Sequence, residues 1–179
     1  MTTATAQSDL RYPVGKFMDP THITESDRRE FIRNIADMPA KLRAAVAGLN
    51  QQQLATPYRP GGWTVRQVVH HLADSHMNAY CRVKLALTEQ NPTIKPYDEA
   101  KWADLADSKL AAEVSLPIID AVHQRWIALL GAMQPPDFAR TFVHPERGAM
   151  TLDGLLALYS WHSRHHVGHI TALRQRNGW

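Results

Sequence analysis

Apolar residues recur at alternating spacings of three and four in separate stretches of the chain, the periodicity of amphipathic helices rather than strands. In the first stretch Phe31, Ile35, Met38, Leu42, Ala45 and Leu49 form one stripe. Thr24-Glu25-Ser26-Asp27 ahead of it reads as an N-cap with an acid three residues on. Pro39 lies inside this stretch and is expected to bend or locally break the helix. A second helix begins at the capping box Thr64-Val65-Arg66-Gln67 and runs to Glu89, where Asn91-Pro92 stops it. The third starts at Ser115-Leu116-Pro117, carries Ile118, Val122, Trp126, Leu129 and Met133 on one face, and ends at Pro135-Pro136. The fourth runs from Thr151 to Arg176 and is closed by Asn177-Gly178.

Four apolar-faced helices in a chain of 179 residues predict an all-α four-helix bundle with one core. Residues 1–20, which include Tyr12-Pro13-Val14-Gly15, are expected to form an irregular arm, and residues 21–179 a single domain. The connections around Lys95-Pro96-Tyr97 and from Gln134 to Met150 exceed the usual length of bundle loops and are candidates for a crossover or a functional loop.

The composition, 44% hydrophobic and 21% charged, is that of an ordinary globular protein. Lysines and arginines are scattered without a stripe interleaved with aromatics, so the net charge of +3 gives no support to nucleic-acid binding. No apolar run reaches the roughly 20 residues that span a bilayer, and no secretory signal is evident, so a cytoplasmic location is expected. The single cysteine, Cys81, excludes a disulfide within the chain and a Cys-rich metal site. By helical angle it points away from the inner face and reads as an inert thiol.

The ten histidines change the picture. His162 and His166 are four apart in Trp161-His162-Ser163-Arg164-His165-His166, so a helix stacks them on one face, which also carries Leu155, Tyr159, Ile170 and Leu173. Inward imidazoles need hydrogen bonds or a metal to offset lost hydration, and this spacing suits one divalent ion. His71 on the second helix offers a third imidazole. His70 falls well outside the inner face and is expected in solvent, while His76 lies near its edge in a packing or hydrogen-bonding role. His165 is placed off the inner face, at the surface or behind the ligands. His169 returns to that face, first as a polar residue behind the ligands, otherwise as a fourth ligand, a substrate contact or an ordinary buried histidine. Asp74 is a candidate to orient a ligand imidazole or a solvated acid. His71 and His166 reach matching depths if their helices are antiparallel, which favours an up-down-down-up bundle with its long crossover after Glu89.

The ordered motifs resemble the DinB-like superfamily of metal-binding bundles, and within it the YfiT-like branch. They comprise Tyr12-Pro13-Val14-Gly15-Lys16-Phe17, Gly62-Trp63-Thr64-Val65-Arg66-Gln67-Val68-Val69-His70-His71-Leu72-Ala73-Asp74-Ser75, Lys95-Pro96-Tyr97-Asp98-Glu99, His144-Pro145-Glu146 and Trp161 to His166. The resemblance implies His71, His162 and His166 as ligands, zinc or nickel as the metal, and a homodimer. It also implies either metal-dependent hydrolysis or transfer of a low-molecular-weight thiol such as bacillithiol or mycothiol.

Both reactions start from a nucleophile whose pKa a divalent ion lowers. Neither histidine-bearing helix sets an acid beside the ligands as an HExxH motif would, which tilts the reading towards a thiol, since a thiol needs no separate base. Asp98, Glu99, Asp104 or Glu146 could serve as a base from a loop. A non-catalytic metal-stabilised binding protein is the third alternative. His144, Tyr97 and Trp102 are candidate contacts to a small-molecule substrate at the cavity mouth, with packing ranked first for Trp102.

Overall fold

The computed structural model describes residues 9–179. In chain order its elements are α1 (Glu25–Val46), α2 (Gln51–Leu54), α3 (Val65–Thr88), α4 (Glu99–Ala103), α5 (Ser115–Ala132), α6 (Pro135–Phe138), β1 (Thr141–His144), β2 (Gly148–Thr151) and α7 (Leu152–Asn177). Single 3-10 turns lie at Asp107–Lys109 and Ala112–Val114. Local chemistry sets the helix ends. The Thr24 hydroxyl accepts from the Asp27 amide while the Asp27 carboxylate accepts from the Thr24 amide, and Thr64 and Gln67 repeat the exchange on α3. Gly178 closes α7 in the left-handed region at φ 67°, where a side chain would be strained.

Side-chain contacts fix the direction of each long helix. Arg28 in the first turn of α1 grips Asp153 in the first turn of α7 through two hydrogen bonds of 2.7 Å, and at the other end Arg174 of α7 donates to the Ala45 and Ala47 carbonyls. These two helices are therefore parallel. His70 and His76 of α3 meet Ser115 and His123 of α5 in the same order, so that pair is parallel as well. Ser75 and His71 meet Tyr159 and His162 in reverse order, and Arg43 of α1 pairs with Asp120 of α5 while the Ile35 carbonyl meets His123, so these pairs are antiparallel. The result is the expected up-down-down-up bundle, with α1 flanked by α5 and α7, and α3 by the same two helices.

The core is divided into two apolar clusters. One is built from Met38, Leu42, Val68, Val69, Leu72, Leu116, Ile119, Ile170 and Leu173. The other contains Ile35, Ala79, Val83, Trp126, Leu130, Phe142, Leu155, Leu156 and Tyr159. Along α3, α5 and α7 the change from one cluster to the other falls at histidines, so a polar layer crosses the bundle between them.

Three local expectations need correction. Helix α1 runs through Pro39 without a break. The buried face of α5 is Ile119, His123, Trp126 and Leu130, one position on from the predicted stripe, and Ile118 is exposed. The connection after α5 is not loop alone, because β1 and β2 form an antiparallel hairpin pairing Phe142 with Met150. The crossover docks on it: the Ile94 amide donates to the Val143 carbonyl (3.0 Å) and the Val143 amide to the Pro92 carbonyl (2.8 Å).

Trp126 is fully buried between the imidazole layer and Tyr159. Trp126→Ala should cost about 3–5 kcal/mol of stability by urea denaturation, as expected for a large core aromatic.

Candidate metal centre

Helices α3 and α7 lie side by side in opposite directions, so residues one turn apart on α7 face a single position on α3. His71, His162 and His166 meet there, each offering one nitrogen, and the three nitrogens lie within 4.8 Å of one another. Nε2 of His71 and Nε2 of His162 are 3.2 Å apart. Two nitrogens on a tetrahedral ion with bonds of about 2.0–2.1 Å are separated by about 3.3 Å, so the spacing suits a shared cation. Nδ1 of His166 is buried without a hydrogen-bond partner. Trp63 forms an apolar wall, its ring 4.6 Å from that of His71. The cluster opens into a cavity of about 350 Å³ whose lining includes Ser75, Arg82, Tyr97, His144 and Tyr159.

Burial determines the protonation of these groups. Loss of hydration pushes His71 down to about 4 and holds His162 and His166 well below the ordinary imidazole value, with neighbouring imidazoles adding to the effect. All three are neutral at pH 7 and present lone pairs. The donor set fits a divalent ion of the kind that imidazole favours.

Behind His162 runs a string of buried histidines. In a regular helix the Ile35 carbonyl would accept from the amide of residue 39, but Pro39 has none. Nδ1 of His123 lies 2.8 Å from that carbonyl and must be the donor, because a carbonyl can only accept. His123 is pushed down to about 4 by burial and is neutral, so its Nε2 accepts from Nδ1 of His76 at 2.9 Å. His76, also held neutral by burial, accepts at Nε2 from Nδ1 of His162 at 3.2 Å. One backbone carbonyl thus sets three tautomers, and the last leaves the Nε2 lone pair of His162 facing His71. Fixing the second nitrogen of a ligand imidazole in this way is a familiar control of metal sites.

Other sequence candidates divide. Tyr97 and His144 line the cavity, as do Glu99 and Glu146, which are exposed. Burial raises the Tyr97 phenol, so it stays protonated. Trp102 packs against Tyr97 with its ring tilted and the centroids 4.4 Å apart. Asp98 caps α4 by accepting from the Lys101 amide, and Asp104 lies at its end. Asp74 does not orient His71; it lines a second, smaller hollow with His70 and Asp107. His70 is not solvated but buried, bonded to Ser115 Oγ at 2.7 Å and to the Leu110 carbonyl. His165 is likewise buried, stacked on Trp161 and beside the cavity. His169 stands outside the cluster: Nε2 bonds the Arg11 carbonyl and its ring stacks on Tyr58 at 3.8 Å, tying the N-terminal segment to α7. Cys81 is exposed. Sequence reasoning passed over His123 and Arg82. The first was detectable as the position that completes the α5 stripe, the second as a charge on the His71 face of α3.

The fold and the cluster define a four-helix bundle with a candidate metal centre at the floor of an open cavity. The chain belongs to the DinB superfamily, whose profile matches residues 34–170. It is 56% identical over 171 residues, 96% of this chain and 99% of the relative, to a Bacillus mycoides (strain KBAB4) protein named "Putative metal-dependent hydrolase". A Bacillus cereus (strain B4264) protein of the same name is 55% identical over 172 residues, with the same coverage. The structure matches YfiT from Bacillus subtilis with a TM-score of 0.91 and 49% identity, covering 95% of this chain and 98% of that one. YfiT is described as "a probable metal-dependent hydrolase with an unusual four-helix bundle topology". Among the described residues no helix is long and apolar enough to cross a membrane.

Two expectations follow. Long-range proton–nitrogen NMR spectra of metal-free protein at pH 7 should show His123, His76 and His162 protonated at Nδ1. Protonation of any of them at Nε2 would contradict the directed string. His71 and His123 take up a proton near 6.5 in the unfolded chain but only near 4 in the fold. Stability of the metal-free protein therefore rises with pH across that window and is lost as pH falls from 6.5 to 4, by about 1.4 kcal/mol per unit for each histidine kept neutral. Thermal melts between pH 4 and 7 check this, and a flat profile would show that the fold tolerates the charged forms.

Proposed function

We propose that the protein is a metal-dependent enzyme in which His71, His162 and His166 hold one divalent ion, zinc or nickel, and that it transfers a low-molecular-weight thiol to an electrophile. An ion held by three neutral imidazoles supplies a positive charge that draws the proton from a thiol, or from water, near neutral pH. The chain's own residues supply the setting. Trp63 packs against His71 at the cavity floor, burial keeps the imidazoles unprotonated, and the string from Pro39 aims His162. In the reaction a carbon–sulfur bond forms, the bond from that carbon to its leaving group breaks, and the thiol proton passes to solvent.

The observation that carries the thiol reading is the lack of a buried base: among the described residues the only carboxylates lining the cavity, Glu99 and Glu146, are exposed. Water is a poor nucleophile without such help, whereas a thiolate is already reactive. Hydrolysis is the second reading, favoured by the names of the relatives and by the presence of two carboxylates, Glu99 and Glu146, in the cavity lining.

Purified protein should contain about one divalent ion per chain, lost in His162→Ala and retained in His70→Ala. Loaded protein should accelerate conjugation of monobromobimane or 1-chloro-2,4-dinitrobenzene with one preferred thiol among bacillithiol, mycothiol, glutathione and cysteine, and His71→Ala should abolish the gain. Turnover of ester, amide or phosphoester reporters without any thiol, with no conjugation above that of metal-free protein, would replace transfer by hydrolysis.

A further inference from the structure

Arg82 is the charged side chain that the site described so far leaves unused. It lies late in α3, is only 9% exposed, and makes neither an ion pair nor a hydrogen bond among the described residues. A buried charge normally persists only when something compensates it. Three turns separate it from His71, and eleven residues at 100° each return it to within about 20° of the same face. Both residues line the same cavity. Arg82 is close enough across that space for its charge to act on Tyr97, Tyr159 and His144. Ser75 and the Tyr97 and Tyr159 phenols line the interval between guanidinium and imidazoles.

The other charges on the cavity wall are Arg147, Glu99 and Glu146, all exposed, and of these Arg147 adds to the positive charge that acts on Tyr159, His144 and His162. The neutral imidazoles contribute no charge. The buried part of the cavity is thus left with one fixed positive group and no negative one.

We infer that Arg82 forms an anion subsite, and that the small molecule accepted by this cavity carries a carboxylate which Arg82 binds while its reacting end lies at the three imidazoles. The guanidinium offers a planar fork that pairs with both oxygens of a carboxylate, and in a buried setting such a pair discriminates strongly against a neutral analogue. The distance along α3, about 16 Å of rise, is shortened because the long Arg82 side chain leans back towards the helix start further than the shorter His71 side chain does. This inference rests on the cavity being the substrate site of the proposed enzyme.

Calorimetric titration of the full-length protein with glutarate and with its neutral isostere glutaramide tests it at low ionic strength. Glutarate should bind at least about tenfold more tightly than glutaramide, and Arg82→Gln and Arg82→Met should each remove that preference. Arg82→Lys, which keeps the charge without the fork, should retain part of it. Both neutral variants should melt close to the wild type, because Arg82 has no ion pair or hydrogen bond among the described residues to lose. Equal binding of the two probes, or a glutarate preference that survives in Arg82→Gln or Arg82→Met, would overturn the subsite. A glutarate preference found without any thiol conjugation would leave the subsite standing and refute thiol transfer alone. Conjugation found without a glutarate preference would do the reverse.

Discussion

Each imidazole buried in a helical bundle must find a place for two nitrogens, one a donor and one an acceptor, and this requirement organises the molecule. The apolar stripes of four helices would close into one continuous core. Instead they form two, separated by a layer in which His71, His76, His123 and His162 satisfy one another. Every one of these groups is held neutral by the cost of burying charge. A directed arrangement of protons is then the only one that leaves no clash of two donors or two lone pairs along the string. The layer ends where two imidazole nitrogens approach each other without an obligatory proton between them, and there a cation fits.

The bundle's topology follows from the same layer. Two antiparallel helices, α3 and α7, bring the candidate ligands together, while α1 and α5 supply the polar backing from the far side. With α3 and α5 parallel, His70 meets Ser115 at one level and His76 meets His123 a turn and a half further on. A simple meander would set consecutive helices antiparallel and lose this match. The long crossover that parallel packing demands also crosses the bundle end and contributes Tyr97 and Glu99 to the cavity wall.

Much of this was legible before the structure. The capping boxes at Thr24 and Thr64 mark their helices to the residue, and the i, i+4 pair at His162 and His166 announces an inward face of imidazoles. Helical angle separated His71 from His70 as the residue facing α7. What angle does not report is burial on other faces: His70 is covered by the 3-10 turns before α5, a tertiary contact with no local signal. The predicted α5 stripe lies one residue early because a stripe of apolar residues alone leaves out His123, which burial with two satisfied nitrogens makes as internal as Trp126. Pro39 was read as a helix breaker, a rule that holds when the freed carbonyl has no other partner. Here it has one, from a residue 88 positions later in the chain. The hairpin was hidden by its brevity, although Pro145-Glu146-Arg147-Gly148, with Gly148 at φ 79°, is a reasonable turn.

The crossover and the hairpin are two insertions at one end of the bundle, joined by backbone hydrogen bonds between Pro92, Ile94 and Val143. Tyr97, Glu99, His144, Glu146 and Arg147 stand on them, while the imidazoles stand on helices below. The molecule therefore separates the imidazoles from the residues at the cavity mouth: a floor of long helices, and a rim of two insertions tied to each other by backbone hydrogen bonds. Exchanging that rim between related bundles offers a way to change what enters the cavity without disturbing the nitrogens at its base.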